Sequence, residues 1–131
     1  MSGRGPRERR FQASESDIAR SIEGHEARNR ALLARLRELG APLGEPRVID
    51  CHFWASNREA AVILVEKLLD KGFTELATTP ADPDEPWSVE GKLHEAPEFV
   101  ASRMVTEELV RLAVTCGAEY DGWGTSVEER S

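Results

Sequence analysis

The sequence contains few of the residues that hold small secreted proteins together or anchor proteins in membranes. It has two cysteines in 131 residues, Cys51 and Cys116, so it has no disulfide framework of the kind found in small secreted domains. No apolar run approaches the roughly 20 residues of a membrane-spanning helix. No signal-peptide core follows the arginines near the start. These shortages predict a soluble, cytoplasmic protein with one domain.

Acidic residues outnumber basic ones outside the first ten residues. The net charge is −7, and the first ten residues contribute +3 of it, which leaves −10 for the rest of the chain. An acidic surface repels phosphate groups, so we expect no direct binding of nucleic acid by the folded part and a basic protein as partner. Apolar residues make up 40% of the chain, which is enough for a single globular core.

Motifs for metals, cofactors and nucleophiles are also missing. His25, His52 and His94 lack the spacing of metal ligands, so we expect surface or half-buried histidines and no metal. The segment "GWG" lacks both common glycine patterns for phosphate binding, so no cofactor is expected. Cys51 and His52 are neighbours on a predicted strand and point to opposite faces, which prevents a nucleophile–base pair. Cys51 is expected to be a small buried hydrophobe, and the protein is not expected to be an enzyme.

The chain divides into three parts. Residues 1–13 are predicted to be a flexible basic tail, residues 14–40 a helix capped by Ser14 or Ser16, and residues 45–129 a domain. The helix has a seam at alternating steps of three and four residues, formed by Ile18, Ile22, His25, Asn29, Leu32, Leu36 and Leu39. This seam predicts packing either on the domain or on a second copy, so monomer and homodimer both remain open.

The domain begins with an alternating segment, "PRVIDCHFWA". It predicts a strand with Ile49, Cys51 and Phe53 on one face and Asp50, His52 and Trp54 on the other. The next segment, "SNRE", predicts a capping box between Ser56 and Glu59. The helix that follows, "AAVILVEKLLDK", is almost continuously apolar, so we expect it to be heavily buried.

The remaining elements complete a recognisable order. "FTELATT" and "WSVEGKLHE" predict strands on either side of an exposed acidic loop, "PADPDEP". A helix starting near Pro97 and a last strand follow. The order β-α-β-β-α-β predicts an α+β, ferredoxin-like domain, in which two helices cover one face of a four-stranded antiparallel sheet. The other sheet face is then open.

The last strand, "EYDGWGT", contributes to a candidate partner-binding surface. Strict alternation places Tyr120, Gly122 and Gly124 on one face and Asp121 and Trp123 on the other. If the glycine face lies under the helices, Asp121 and Trp123 join the open face. The predicted partner-binding residues are His52, Trp54, Asp121 and Trp123, with Asp82, Asp84 and Glu85 of the acidic loop.

Other interpretations of this face remain open. If the N-terminal helix folded over the open face, it would bury Trp54 and Trp123. RNA binding of the kind seen on similar sheets is disfavoured, because Asp50 and Glu90 face a single basic residue, Lys92. Asp50, His52 and Asp121 also suggest a small-molecule-binding or hydrolytic domain in which an Asp–His pair acts as a base. The same pair is equally explained as a structural hydrogen bond.

The string "EYDGWGT", together with "CHFWAS" before a capped helix and "KGF" after it, resembles the regulator of ribonuclease activity B (RraB) family. The resemblance covers Glu45 to Glu129. It implies a small bacterial protein with a ferredoxin-like fold that binds the endoribonuclease RNase E and restrains its cleavage of RNA. Such a protein acts as an inhibitor and not as an enzyme. The founding type also has an acidic C-terminal tail, which "VEERS" at the end of this sequence does not reproduce.

Overall fold

A four-stranded antiparallel sheet forms the centre of the computed structural model, which describes residues 13–80 and 86–126. The helices and strands are α1 (Glu15–Glu38), β1 (Arg47–Ala55), α2 (Arg58–Asp70), β2 (Thr74–Thr79), β3 (Trp87–Glu95), α3 (Pro97–Val100), α4 (Arg103–Thr115) and β4 (Ala118–Gly124). The strands lie in the order β2-β3-β1-β4. The prediction of an α+β domain with a four-stranded antiparallel sheet and a preceding helix is confirmed. The acidic loop and most of the basic tail lie outside the described residues.

Helix α1 packs on the domain through the predicted seam. Its N-cap is Ser14, whose hydroxyl accepts a hydrogen bond from the backbone of Asp17, while the Asp17 carboxylate accepts one from the Ser14 backbone. The seam residues Ile18, Ile22, His25, Asn29 and Leu36 are buried. They lie against α4, and His25 and Asn29 also bind residues of β4, on the side of the sheet that the other helices cover. Five of the seven predicted seam residues are therefore buried within one chain, while Leu32 is half-buried and Leu39 is 48% exposed.

The core lies between the helices and one face of β1. Ile49, Cys51, Phe53 and Ala55 are all 0% exposed, as the alternation of β1 predicts. Burial raises the pKa of the Cys51 thiol to about 12, so this residue is an unreactive core side chain. On the neighbouring strand, Gly91 lies opposite Cys51, where an added Cβ would come within 2.6 Å of the Leu76 side chain.

Helix α2 differs from its prediction in two respects. Its N-cap is Asn57, not Ser56, and the Asn57 Oδ1 accepts a hydrogen bond of 2.8 Å from the Ala60 backbone. Its outer side exposes three apolar residues, Val62, Ile63 and Leu69, at 50%, 45% and 56% exposure, among charged residues of the same helix. The expectation of a heavily buried helix is wrong because only one side of α2 contacts the sheet, however apolar the run is.

Candidate functional site

A bulge in β4 decides which residues reach each face of the sheet. In its pairing with β1, Trp123 lies opposite Cys51 and Gly122 opposite His52, but Tyr120 lies opposite Phe53, so Asp121 is an extra residue. Gly122 has a φ of 115°, a conformation that residues with a Cβ rarely adopt. The bulge interrupts the alternation of side chains. Tyr120 and Trp123 therefore share the covered face, and the expectation that Trp123 accompanies Asp121 on the open face is wrong.

Trp123 binds helix α1 through a buried asparagine. Its indole Nε1 donates a hydrogen bond of 2.8 Å to the Asn29 Oδ1. The Asn29 Nδ2 in turn donates to the Thr106 hydroxyl of α4, at 3.1 Å, and to the Ala101 carbonyl, at 3.3 Å. Asn29 and Thr106 are 6% and 1% exposed. The polar middle of the α1 seam is thus satisfied inside the protein, and it joins α1, α4 and β4.

His25 completes this contact between α1 and β4, and it is buried at 2% exposure rather than exposed or half-buried as predicted. Its Nε2 donates to the Tyr120 carbonyl at 3.0 Å, and its ring stacks on the Tyr120 ring at 4.7 Å. The Arg28 guanidinium donates to Nδ1 at 3.0 Å. Burial, with the charge of Arg28 second, lowers the His25 pKa, so this arrangement fits the neutral ring. We call His25, Asn29, Thr106 and Trp123 the buried polar cluster.

The opposite face of the sheet, the open face, carries polar side chains of β1 and β3. The residues involved are Asp50, His52 and Trp54 of β1 and Ser88, Glu90 and Lys92 of β3. Lys92 Nζ donates to the Asp50 carboxylate at 2.5 Å. Asp121 and Glu119 of β4 add two further carboxylates near His52 and Trp54. Among the described residues, α1 does not cover this face, which combines one tryptophan with an excess of acidic groups.

His52 lies at the centre of a three-strand hydrogen-bonded relay on the open face. Its Nδ1 is 3.1 Å from the Asp121 Oδ2 of β4, and its Nε2 is 2.8 Å from the Ser88 Oγ of β3. A carboxylate accepts hydrogen bonds, so Nδ1 donates to Asp121; in that tautomer Nε2 accepts a hydrogen bond from the Ser88 hydroxyl. The Trp54 ring meets the His52 ring edge-on at 4.8 Å. We call Asp121, His52 and Ser88 the open-face relay.

The structure brings together some of the predicted residues and separates others. His52, Trp54 and Asp121 share the open face, while Trp123 lies on the covered side. Asp82, Asp84 and Glu85 lie outside the described residues. Asp50 binds Lys92 and not His52. Ser88 was missed as a partner of His52, because the alternation of its strand shows its face but not the register that sets it diagonally across from His52.

No group of three or more His, Cys, Asp or Glu side chains within residues 13–80 and 86–126 is arranged to hold a metal ion. No described helix is both long enough and apolar enough to cross a bilayer. Among the described residues, the open face and the outer side of α2 are two surfaces that could bind a partner.

The comparisons with known proteins agree with the sequence motif. No curated protein matches the chain at a significant level. A family model, described as regulator of ribonuclease activity B, matches residues 26–125. The match runs from the middle of α1 to the end of β4, and it includes the open-face relay and most of the buried polar cluster. Because this match spans most of the chain, the protein belongs to the RraB family.

Proposed function

We propose that this protein is a cytoplasmic regulator whose action on an endoribonuclease of the RNase E type is non-catalytic: it binds the enzyme and inhibits or modulates it by protein–protein contact. The family match over residues 26–125 carries this proposal, because the family is one of ribonuclease regulators. The strand order, with β1 and β3 in the centre, supports assigning the domain to the ferredoxin-like arrangement.

The open face is the surface that we assign to the partner. Trp54 is half-buried there, and tryptophan is among the residues that contribute most to binding energy at interfaces. Around it, Glu90, Glu119 and Asp121 give the face an acidic character that suits a basic partner. Such complementarity speeds association and makes it sensitive to salt.

The acidic loop remains a predicted part of the same contact. It connects β2 to β3, and its residues Asp82, Asp84 and Glu85 lie outside the described ranges. Reversing these three charges is expected to weaken binding mainly at low salt, where long-range attraction is least screened. Unchanged affinity at both low and high salt would remove the loop from the proposed contact.

The outer side of α2 is the alternative candidate for the partner-binding surface. Val62, Ile63 and Leu69 expose apolar area that the domain does not use in its own core. Its chemistry would suit an apolar partner surface, whereas the open face suits a basic one. The charge of the folded part, −10 outside the first ten residues, favours the open face.

The proposal is tested by measuring the affinity of the full chain for a purified RNase E-type endoribonuclease, and the rate at which that enzyme cleaves RNA with and without the chain. Trp54→Ala is expected to weaken binding by about tenfold or more, because it truncates the aromatic centre of the surface. The matched control is Trp123→Phe, which changes a tryptophan on the covered side and is expected to retain affinity once its fold is verified.

Each part of the proposal can fail separately. If the intact chain neither binds the ribonuclease nor changes its cleavage rate, the proposed function is wrong. If Trp54→Ala binds as tightly as the intact chain and a Val62→Ser/Leu69→Ser variant does not, the partner contacts α2 and the assigned surface is wrong.

A further inference from the structure

The open-face relay has the order of groups that activates a serine nucleophile. A carboxylate, Asp121, holds the Nδ1 side of the His52 ring, and the Nε2 side faces the Ser88 hydroxyl. In serine hydrolases the same order keeps the ring in the tautomer that accepts the serine proton. Both distances, 3.1 Å and 2.8 Å, are within hydrogen-bond reach.

The position of the relay makes it accessible to small molecules. The His52 and Asp121 side chains are 26% and 42% exposed, and Ser88 is partly exposed. The relay joins side chains of three adjacent strands whose ladders are already paired through their backbones. The Trp54 ring beside His52 offers an apolar surface for an acyl group.

We propose that Ser88 is a nucleophile that accepts acyl groups from small, activated, uncharged or cationic esters. This proposal does not depend on ribonuclease binding. The Ser88 Oγ forms a bond to the ester carbonyl carbon and passes its proton to the His52 Nε2. The carbon–oxygen bond to the leaving alcohol then breaks, and the alcohol takes that proton. A water molecule then gives a proton to the His52 Nε2 and forms a bond to the acyl carbon. The bond between that carbon and the Ser88 Oγ breaks, Ser88 takes the proton back from His52, and the acid is released.

The charges around the relay set the class of substrate. Glu90 lies directly across from His52 on β3, and Glu119 lies directly across from Trp54 on β4. Together with Asp121 they disfavour an anionic ester, since like charges repel at close range. The relay is therefore expected to react with neutral p-nitrophenyl acetate more readily than with an ester of the same alcohol that carries a carboxylate on its acyl chain.

The test uses the full chain and p-nitrophenyl acetate. Release of p-nitrophenol is followed by absorbance, and acetylation is located by intact-mass measurement and peptide mapping. We expect one acetyl group on Ser88, and a rate of acetylation that falls by about 100-fold or more in His52→Ala. Asp121→Asn is expected to slow acetylation and to shift its pH profile, which loss of a purely structural contact would not do. Ser88→Ala should remove the label altogether.

A matched control separates this site from general reactivity. His94 is an exposed histidine on β3, outside the relay, so His94→Ala is expected to leave the labelling of Ser88 unchanged. Acetyl groups found only on lysines or the N-terminus would overturn the proposal. So would an equal rate at Ser88 in the His52→Ala variant with a verified fold. A relay that only stabilises the sheet would lower the melting temperature when altered and give no acetyl-Ser88 in the intact chain.

Discussion

Two histidines on opposite sides of the same sheet illustrate how position decides the role of a residue. His25 and His52 both bind β4, and each has a hydrogen-bond partner at both ring nitrogens. His25 is 2% exposed and stacks on the Tyr120 ring, within the contact between α1 and β4. His52 retains 26% exposure of its side chain, and its ring is reachable from solvent.

A polar side chain whose hydrogen bonds are all satisfied does not necessarily stabilise the fold; its burial decides how much it contributes. In the buried polar cluster, breaking the bond of His25 to Tyr120 or of Asn29 to Thr106 would leave a donor or acceptor away from water, which is costly. In the open-face relay, water can replace a lost partner, so the same change costs less stability. The first cluster therefore holds α1 on the domain, and the second remains available for binding or chemistry.

The largest expected effect is on the buried polar cluster. Asn29→Leu keeps the volume of the side chain but leaves the Trp123 indole N–H without its acceptor and the Thr106 hydroxyl without its donor. We expect the free energy of unfolding to fall by about 3 kcal/mol, at roughly 1–3 kcal/mol for each orphaned group. Chemical denaturation followed by circular dichroism measures this change.

The matched change in the open-face relay is Ser88→Ala. It removes one hydrogen bond to His52 in a site that water reaches, and we expect an effect within about 0.5 kcal/mol. Equal losses in Asn29→Leu and Ser88→Ala would contradict the distinction between the two clusters.

A medium effect is expected at the bulge that separates the two faces. Gly122→Ala places a Cβ at a φ of 115°, and we expect a loss of about 1–2 kcal/mol from backbone strain. Gly124 lies two residues further on the same strand, has no positive φ and has open space where a Cβ would lie. Gly124→Ala should therefore leave the melting temperature nearly unchanged. Similar losses in the two variants would show that strain at Gly122 is not what fixes the bulge.

The smallest expected effect is a pH dependence that comes from His25. Its pKa is lowered from 6.5 in the folded protein, first by burial and then by Arg28, while Tyr120, Asp121 and Glu119 oppose the shift. Below pH 6.5 the unfolded chain therefore binds more protons at this residue than the folded protein does. The free energy of unfolding is expected to fall as the pH drops from 6.5 toward the pKa of His25 in the folded protein. Above pH 6.5, His25 is expected to cause no pH dependence of stability.

This dependence is measured by thermal unfolding at a series of pH values. His25→Gln, which can still donate to the Tyr120 carbonyl, is expected to flatten the slope below pH 6.5. His94→Gln, at an exposed position, serves as the control and should retain the slope. A slope that is the same in all three proteins would assign the effect to other groups.

Much of the architecture followed from local patterns. The alternation of β1 predicted the burial of Ile49, Cys51 and Phe53, and the seam of α1 predicted five of the residues that are buried there. Burial around α2 was overestimated, because an apolar run does not show how many sides of a helix have neighbours. Of the two partners of His52, the sequence placed Asp121 on the same face. It did not identify Ser88, because that contact depends on the register between β1 and β3.

The sequence by itself determined the order of the four strands and of α1, α2 and α4, the buried face of β1, most of the seam of α1 and, through "EYDGWGT", the family. These features depend on the period of hydrophobic residues and on contiguous motifs, which are local properties of the chain. The sequence predicted one helix from Pro97 and did not show the break at Ala101 and Ser102 that separates α3 from α4. The tertiary structure decided which side Trp123 faces, which residues meet His52 and where α1 packs. Each of these depends on strand register and on one bulge, and a shift of one residue reverses the face of every side chain beyond it.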